Sequence, residues 1–264
     1  MSGQQSSETE VSEQYSQRLE DCQPAWRNRV DRLTLMFDRL FWPRRCVLCL
    51  ASTQDVDLCV ECNQDLVLNC DCCARCAVPL GEEAERDLVC GACIKKPPCF
   101  DTSFVPFRYA YPLDRMIQRL KYARELNLGR VLANSFAERL LAWRSAPWPQ
   151  AIVPVPLGRA RYLARGYNQA IELAQQMRRR IDIPLRTDWV VRERETTEQA
   201  ALARDERQNN VRGAFVMRRP PDCDHVAILD DVVTTGSTVN EVAKVLRKAG
   251  VTRIDVWAIA RAGR

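Results

Sequence analysis

The sequence predicts an α/β protein, a parallel sheet flanked by helices, with a small cysteine-rich module in front of it. Three observations carry that prediction. First, residues 151–155, 226–229 and 253–260 are short, largely apolar runs, the composition of parallel strands covered on both faces. Second, the segments around them repeat apolar residues at helical spacing. Examples are Val131, Leu132, Phe136, Leu140 and Leu141, then Ala170, Ile171, Ala174 and Met177, then Val239, Val242, Ala243, Val245 and Leu246. Third, eight of the thirteen cysteines fall into four Cys-x2-Cys steps between Cys46 and Cys93.

Taken in order, the elements suggest three parts: 1–29, 30–98 and 99–264. Residues 1–29 are rich in Ser, Gln and Glu and bury too little to offset ordering entropy, so a disordered tail is expected. The spacing Val30, Leu33, Thr34, Phe37, Leu40 and Phe41 then reads as an amphipathic helix that Pro43 stops, a docking helix for the module behind it. In that module Cys46-x2-Cys49 with Cys59-x2-Cys62 makes one set of four thiols, and Cys73-x2-Cys76 with Cys90-x2-Cys93 makes a second. Each step sets two thiolates on one side of a turn, and two steps complete a tetrahedral site with no open position, which is structural zinc. Metal binding would supply the folding energy of a segment so poor in large apolar residues. Cys70 and Cys72 blur the second set, because Cys70-x2-Cys73 has the same spacing, and spacing alone leaves cross-braced pairing open. Cys22, Cys99 and Cys223 stand alone and read as small core or surface residues.

In the remaining part, 95–106 reads as a linker, 104–111 as a strand, and 113–122 and 127–143 as helices, with Lys121 a solvated helix-end residue. The strand 151–155 turns at its prolines. Arg159, Arg161 and Arg165 follow, then Gly166-Tyr167-Asn168-Gln169, an arginine-rich loop opening a helix and hence a candidate anion site. Residues 192–211 are highly charged, have no stripe to bury, and lie between strand-like segments 189–191 and 213–217, so a lid is expected. The strand 226–229 ends on Asp230 and Asp231. Thr234, Thr235, Gly236, Ser237 and Thr238 then lead into the last helix, whose free N–H groups and dipole favour an anion. Carboxylates repel phosphate, so the acidic pair should face neutral hydroxyls or a metal. A ribose 5-phosphate satisfies both halves.

Several classes are excluded or disfavoured. There is no GxxxxGK[ST], hence no nucleoside-triphosphate loop of that type. The single histidine, His225, argues against imidazole catalysis and His-ligated zinc, and reads as a strand-edge residue. A net charge of +5 permits phosphate or nucleic-acid partners without requiring them. No apolar stretch reaches membrane-spanning length, and the first residues lack a basic start and an apolar core. A cytoplasmic location is therefore expected, where cysteines stay reduced or bind metal.

Over residues 45–264 these landmarks resemble the ComF/GntX family of phosphoribosyltransferase-like proteins. The matching pieces are the cysteine steps, Leu120-Lys121-Tyr122, Val153-Pro154-Val155-Pro156-Leu157, Arg165-Gly166-Tyr167-Asn168-Gln169, Thr196-x2-Gln199-x2-Leu202-x4-Arg207-x2-Asn210, Gly213-Ala214-Phe215 and DDVVTTGST. Tyr167 stands where many relatives carry phenylalanine. The resemblance implies a type I phosphoribosyltransferase-like fold that binds phosphoribosyl diphosphate (PRPP) with Mg2+. By the same resemblance Thr234, Thr235, Gly236, Ser237 and Thr238 would hold the 5-phosphate, and Pro156, Leu157, Arg165, Gly166, Asn168 and Lys121 the diphosphate. Asp230, Asp231 and Arg207 would be catalytic, with Arg192, Thr196, Gln199 and Asn210 in the lid. It further implies two structural zinc ions and a role in natural competence or use of external DNA, with single-stranded DNA and DNA-uptake proteins as partners. The expected function is PRPP binding with phosphoribosyl transfer to an unidentified acceptor. The alternatives are a PRPP-binding handler of single-stranded DNA with little chemistry, and a PRPP-sensing regulator, for which no helix-turn-helix is evident. No acceptor pocket is legible, and a hood over the site would have to come from residues 99–124.

Overall fold

A computed structural model describes residues 44–53, 57–81, 88–143, 147–194 and 211–263. The expected tail, the docking helix, and Thr196, Gln199, Arg207 and Asn210 of the expected lid lie outside the described residues. The chain divides into two compact units, Met1–Cys59 and Val60–Arg264.

In the first unit β1 (Arg44–Arg45) and β2 (Ser52–Thr53) pair antiparallel, Arg44 opposite Thr53 and Arg45 opposite Ser52. The turn between them is tight. The Leu50 N–H donates to the Cys46 carbonyl at 3.0 Å and the Cys46 N–H to the Ala51 carbonyl at 2.9 Å. Closing it sets Leu50 at φ 63.

The second unit is built on a five-stranded parallel sheet. β3 (Thr102–Phe104) and β4 (Phe107–Arg108) pair one after the other with β9 (Arg253–Arg261), which pairs with β8 (His225–Val233), and β8 with β5 (Ala151–Pro154). Pro106, which has no N–H to give a ladder, separates β3 from β4. What reads as linker followed by one strand is therefore an interrupted edge strand. β8 and β9 are central and long. Val226–Leu229 and Ile254–Ala260, apart from the polar Asp255, carry only apolar side chains, all buried.

Short α1 (Val60–Gln64) carries Cys62 of the first cysteine set, and α2 (Gly91–Lys95) carries Cys93 of the second. The helices that follow are α3 (Leu113–Tyr122), α4 (Leu126–Trp143), α5 (Arg159–Arg165), α6 (Gln169–Met177) and α7 (Ser237–Lys248), of which α4, α6 and α7 pack on the sheet strands and α5 buries no residue. The helical stripes largely hold: Val131, Leu132, Phe136 and Leu140 are buried on α4, and Val239, Val242, Ala243 and Leu246 on α7. Leu141 is 47% exposed, since one residue beyond Leu140 turns it about 100° off the buried stripe. Ile171 is half-buried for the same reason, and Leu173 takes its place inside.

Three expectations change. β8 does not end before the acidic pair: Asp230, Val232 and Val233 continue the ladder opposite Ala258, Ala260 and Arg261. The arginine-rich segment is not a loop but helix α5, opened by Gly158 and closed by Gly166 at φ 87, because Arg-Ala-Arg-Tyr-Leu-Ala-Arg consists mostly of good helix formers. The strand-like segments beside the charged stretch, β6 (Val190–Arg192) and β7 (Phe215–Met217), pair antiparallel with each other as a separate ladder, outside the main sheet.

The second cysteine set is bonded directly to this sheet. Asn69 Nδ2 donates to the carbonyls of Ala77 (2.9 Å) and Val105 (3.1 Å), and Ser103 Oγ to that of Arg75 (2.7 Å). Arg261 Nε donates to the carbonyl of Cys76 at 3.0 Å. Residues 67–69 also cover β4, through Arg108 N–H to the Val67 carbonyl and Asn69 N–H to the Pro106 carbonyl, each 2.9 Å.

Candidate functional site

The cysteine steps gather into two groups. The sulfurs of Cys46, Cys49, Cys59 and Cys62 lie within 4.8 Å of one another, and so do those of Cys73, Cys76, Cys90 and Cys93. Cys49–Cys59 and Cys76–Cys90 are each 3.7 Å apart. Arms of about 2.3 Å around a tetrahedral zinc give sulfur–sulfur edges of about 3.8 Å, so the donor sets fit zinc. Burial works to raise the Cys46 thiol, but backbone N–H groups aimed at it outweigh burial and hold it down at about 6. The second group repeats the local geometry of the first. The Ala77 N–H donates to the Cys73 carbonyl at 2.8 Å, the Cys73 N–H to Val78 at 2.9 Å, and Ala77 takes φ 54. That turn, with the Cys90 N–H 3.2 Å from Cys73 Sγ, assigns Cys73 as the first ligand; Cys70 is exposed and stands outside the group. Cys72, also outside, is pushed up to about 11 by burial and the neighbouring Cys73, Cys76, Cys70 and Asp71 charges.

The second centre lies at the carboxyl edge of the parallel sheet, where open α/β sheets bind ligands. Asp231 is buried, and Lys121 Nζ from α3 forms an ion pair with its Oδ2 at 2.7 Å. Lys121 is therefore not a solvated helix-end residue. Burial works to lower its pKa, but the charges of Asp231 and Asp230 outweigh burial and hold the ammonium above its ordinary value. Burial, with Asp231's charge beside it, pushes the Asp230 carboxyl up to about 8. Two crowded carboxylates facing one ammonium form a donor set that a divalent cation would suit. Their Oδ1 atoms also shape the backbone: Asp230 Oδ1 accepts from the Asp231 N–H and Asp231 Oδ1 from the Val232 N–H, both at 2.8 Å.

Beyond Val233 the chain turns into α7 through Gly236, which caps the helix at φ 78. Among the described residues no side chain caps α7, and Thr235 Oγ1 alone reaches into its start, 3.3 Å from the Ser237 N–H. The next amides are left for an anion. One strand over, β5 runs beside β8 with Pro154 opposite Leu229, and the Val155 N–H donates to the Leu229 carbonyl at 2.9 Å. Pro156 and Leu157, half-buried, follow directly on this pairing. Asn168 is engaged elsewhere. Its Oδ1 caps α6 by accepting from Ala170 N–H (2.8 Å) and Ile171 N–H (3.4 Å), and its Nδ2 donates to the Val155 carbonyl at 2.9 Å. Arg165 stacks its guanidinium 5.4 Å from the Tyr122 ring, and the Tyr167 hydroxyl donates to the Leu120 carbonyl. The segment before α6 is thereby tied to the end of α3 that carries Lys121. Arg192 lies 5.5 Å from the Phe215 ring in the β6–β7 ladder.

Sequence reasoning missed Arg261. Buried at the end of β9, it donates to the carbonyls of Val233 and Thr234 and so fixes the path of the loop. An arginine closing an otherwise apolar strand was the available signal.

The double zinc ribbon domain family matches residues 37–94, and the phosphoribosyl transferase domain family matches residues 167–264. Competence protein F of Haemophilus influenzae is 37% identical over 233 residues, which cover 84% of this chain and 99% of that protein. The chain belongs to this competence protein F family. Also similar to this family member are the DNA utilization protein YhgH of Escherichia coli K12, 32% identical over 77% of the chain and 90% of that protein, and Competence protein ComFC of Streptococcus pneumoniae, 25% identical over 59% and 66%. The motif resemblance and the family match agree. The fold is that of a phosphoribosyltransferase domain behind a double zinc ribbon. Among the described residues no helix is long and apolar enough to cross a membrane.

Proposed function

We propose that the chain binds PRPP with Mg2+ at the carboxyl end of β8 and transfers the phosphoribosyl group to an acceptor, in the cytoplasm, in the competence or DNA utilization role for which its relatives are named. The observation that carries this reading is the N-terminus of α7, uncapped by any side chain among the described residues, next to two carboxylates on a central parallel strand. The 5-phosphate takes the amides and hydroxyls of Thr234, Thr235, Gly236, Ser237 and Thr238, where dipole and N–H donors both favour it. Asp230 and Asp231 orient the ribose hydroxyls and hold the positive charge that develops at C1 close to negative groups. Mg2+, when bound there, would supply neutralisation of the diphosphate. Pro156, Leu157 and Gly166 shape the diphosphate side, with Arg165 and Lys121 as its cations; Lys121 reaches a diphosphate oxygen only by leaving Asp231. Arg207 enters this reading from the sequence alone. Two tetrahedral zinc ions hold the ribbons, so metal analysis of chelator-free protein should approach two zincs per chain.

Titration calorimetry with PRPP and Mg2+, followed by a diphosphate-release screen over bases, nucleosides and nucleotides, tests the proposal. Saturable PRPP binding and acceptor-dependent diphosphate release are expected. No heat with PRPP under any Mg2+ condition would remove the reading. Binding without release for any acceptor would leave a PRPP-binding protein that does little chemistry.

A further inference from the structure

A cavity of about 890 Å3 opens at the same edge of the sheet, between the second cysteine group and the ends of β4 and β9. Its floor is apolar, Val78, Pro79 and Leu80, and its walls carry Lys95, Arg108, Tyr109 and Arg261. Three cations and no carboxylate line it among the described residues. Among the described residues Arg108, one of the lining cations, has a buried Nε without a hydrogen-bond partner. The register ties this cavity to the acidic centre. Arg261 stands opposite Arg108 on one side and Val233 on the other. Neighbouring strands lie about 4.8 Å apart, so Arg108 is about 10 Å from the start of the Thr234–Thr238 loop. Tyr109 donates its N–H to the Arg261 carbonyl at 2.9 Å.

We propose that this cavity is the acceptor pocket and that its ligand is a nucleotide, free or as the end of a single strand. Phosphate oxygens meet Arg108 and Lys95, the ring lies against Tyr109 and the apolar floor, and the volume far exceeds one flat base. One wall comes from residues 108–110, inside the span from which a hood was expected. The other comes from the second zinc ribbon, which gives that ribbon a share in substrate recognition. The acceptor role rests on the PRPP reading, but the pocket itself does not. In the transfer, a nitrogen or oxygen of the nucleotide bonds to C1 of PRPP as the C1–O bond to diphosphate breaks. Diphosphate leaves with that bonding pair, and the proton of the nucleophile passes to diphosphate or water.

The test is equilibrium binding of adenosine 5′-monophosphate to the whole zinc-loaded chain, with adenine and inorganic phosphate as part-ligand controls and a short 5′-phosphorylated single strand as a second probe. Arg108→Gln and the solvent-exposed Lys95→Gln should each weaken nucleotide binding about tenfold, as loss of a charge-assisted bond does. Both should leave PRPP affinity with Mg2+ within about twofold of wild type. Lys95→Gln keeps the test open if Arg108→Gln does not fold. A single strand that binds more tightly than the mononucleotide, and is weakened by the same substitutions, assigns the pocket to a strand end. Mononucleotide binding no tighter than inorganic phosphate, or untouched by both substitutions, overturns the proposal. If wild type fails to bind PRPP yet binds the nucleotide through Arg108 and Lys95, the PRPP reading falls and the pocket stands.

Discussion

Two strand–loop–helix segments stand side by side at the carboxyl edge of one sheet, and their helices begin in opposite ways. After β5 the chain passes through α5 into α6, whose first amides are filled by Asn168 Oδ1 of the chain itself. After β8 it passes into α7, whose cap is Gly236, a residue with no side chain to offer. Both helices carry the same dipole, but α6 has used its start to fix Asn168 between Val155 and Ile171. The lesson is that a helix N-terminus becomes a ligand site only where the chain has not already supplied the acceptor. α6 holds the architecture of the site, and α7 is left to hold what enters it.

The strongest way to break this contrast is through the carboxylates beside α7. Asp230→Asn with Asp231→Asn should weaken PRPP binding with Mg2+ by about ten- to hundredfold, the loss of one or two charge-assisted contacts. The circular dichroism spectrum should be unchanged; calorimetry showing wild-type affinity would detach the acidic pair from the site. Next, Gly236→Ala places a Cβ where the nearest atom, Val233 Cγ1, is 4.0 Å away, so space is not the obstacle. The cost is the left-handed backbone, about 1–2 kcal/mol, and a melting temperature lower by roughly 2–8 °C is expected from thermal scans. PRPP affinity should fall with it, because relaxing φ turns the first amides of α7 away.

Asn168→Ala sharpens the contrast from the other side. Loss of the cap should cost about 1 kcal/mol of stability, read by thermal denaturation, while PRPP affinity stays within about threefold. A tenfold loss of affinity without loss of stability would make Asn168 a ligand contact. The smallest expected effect is in pH. Asp230, pushed up to about 8 by burial beside Asp231, is largely neutral at pH 6.5 and mostly ionised at pH 8.5. Mg2+ needs the ionised form, so PRPP affinity with Mg2+ should rise severalfold across that window, and the slope should flatten in Asp230→Asn.

Much of this site was legible because its signals are local. The DDVVTTGST stretch carries strand, acid pair, turn and helix start within a few residues, and the Cys-x2-Cys steps carry their own geometry. The parts that were not legible depend on partners far along the chain. Lys121 reads as a solvated lysine until α3 folds over β8 and sets it against Asp231, and Arg261 donates to Cys76 across 185 residues. Asn168 is a different case. An Asn before Gln-Ala-Ile-Glu-Leu-Ala is an ordinary helix cap, and the neighbouring arginines, which point to an anion site, mask that simpler local role in the sequence. Pro106 broke an expected strand in two for a reason also present in the sequence, its missing N–H.

The most direct test of the central claim is a comparison of backbone amide shifts by NMR, with and without PRPP and Mg2+. The largest changes are expected at residues 234–239, the loop and first turn of α7, with the amides of Ala170 and Ile171 almost unmoved because Asn168 already fills them. Changes centred on Ala170 and Ile171, with residues 234–239 unaffected while PRPP is bound, would contradict it.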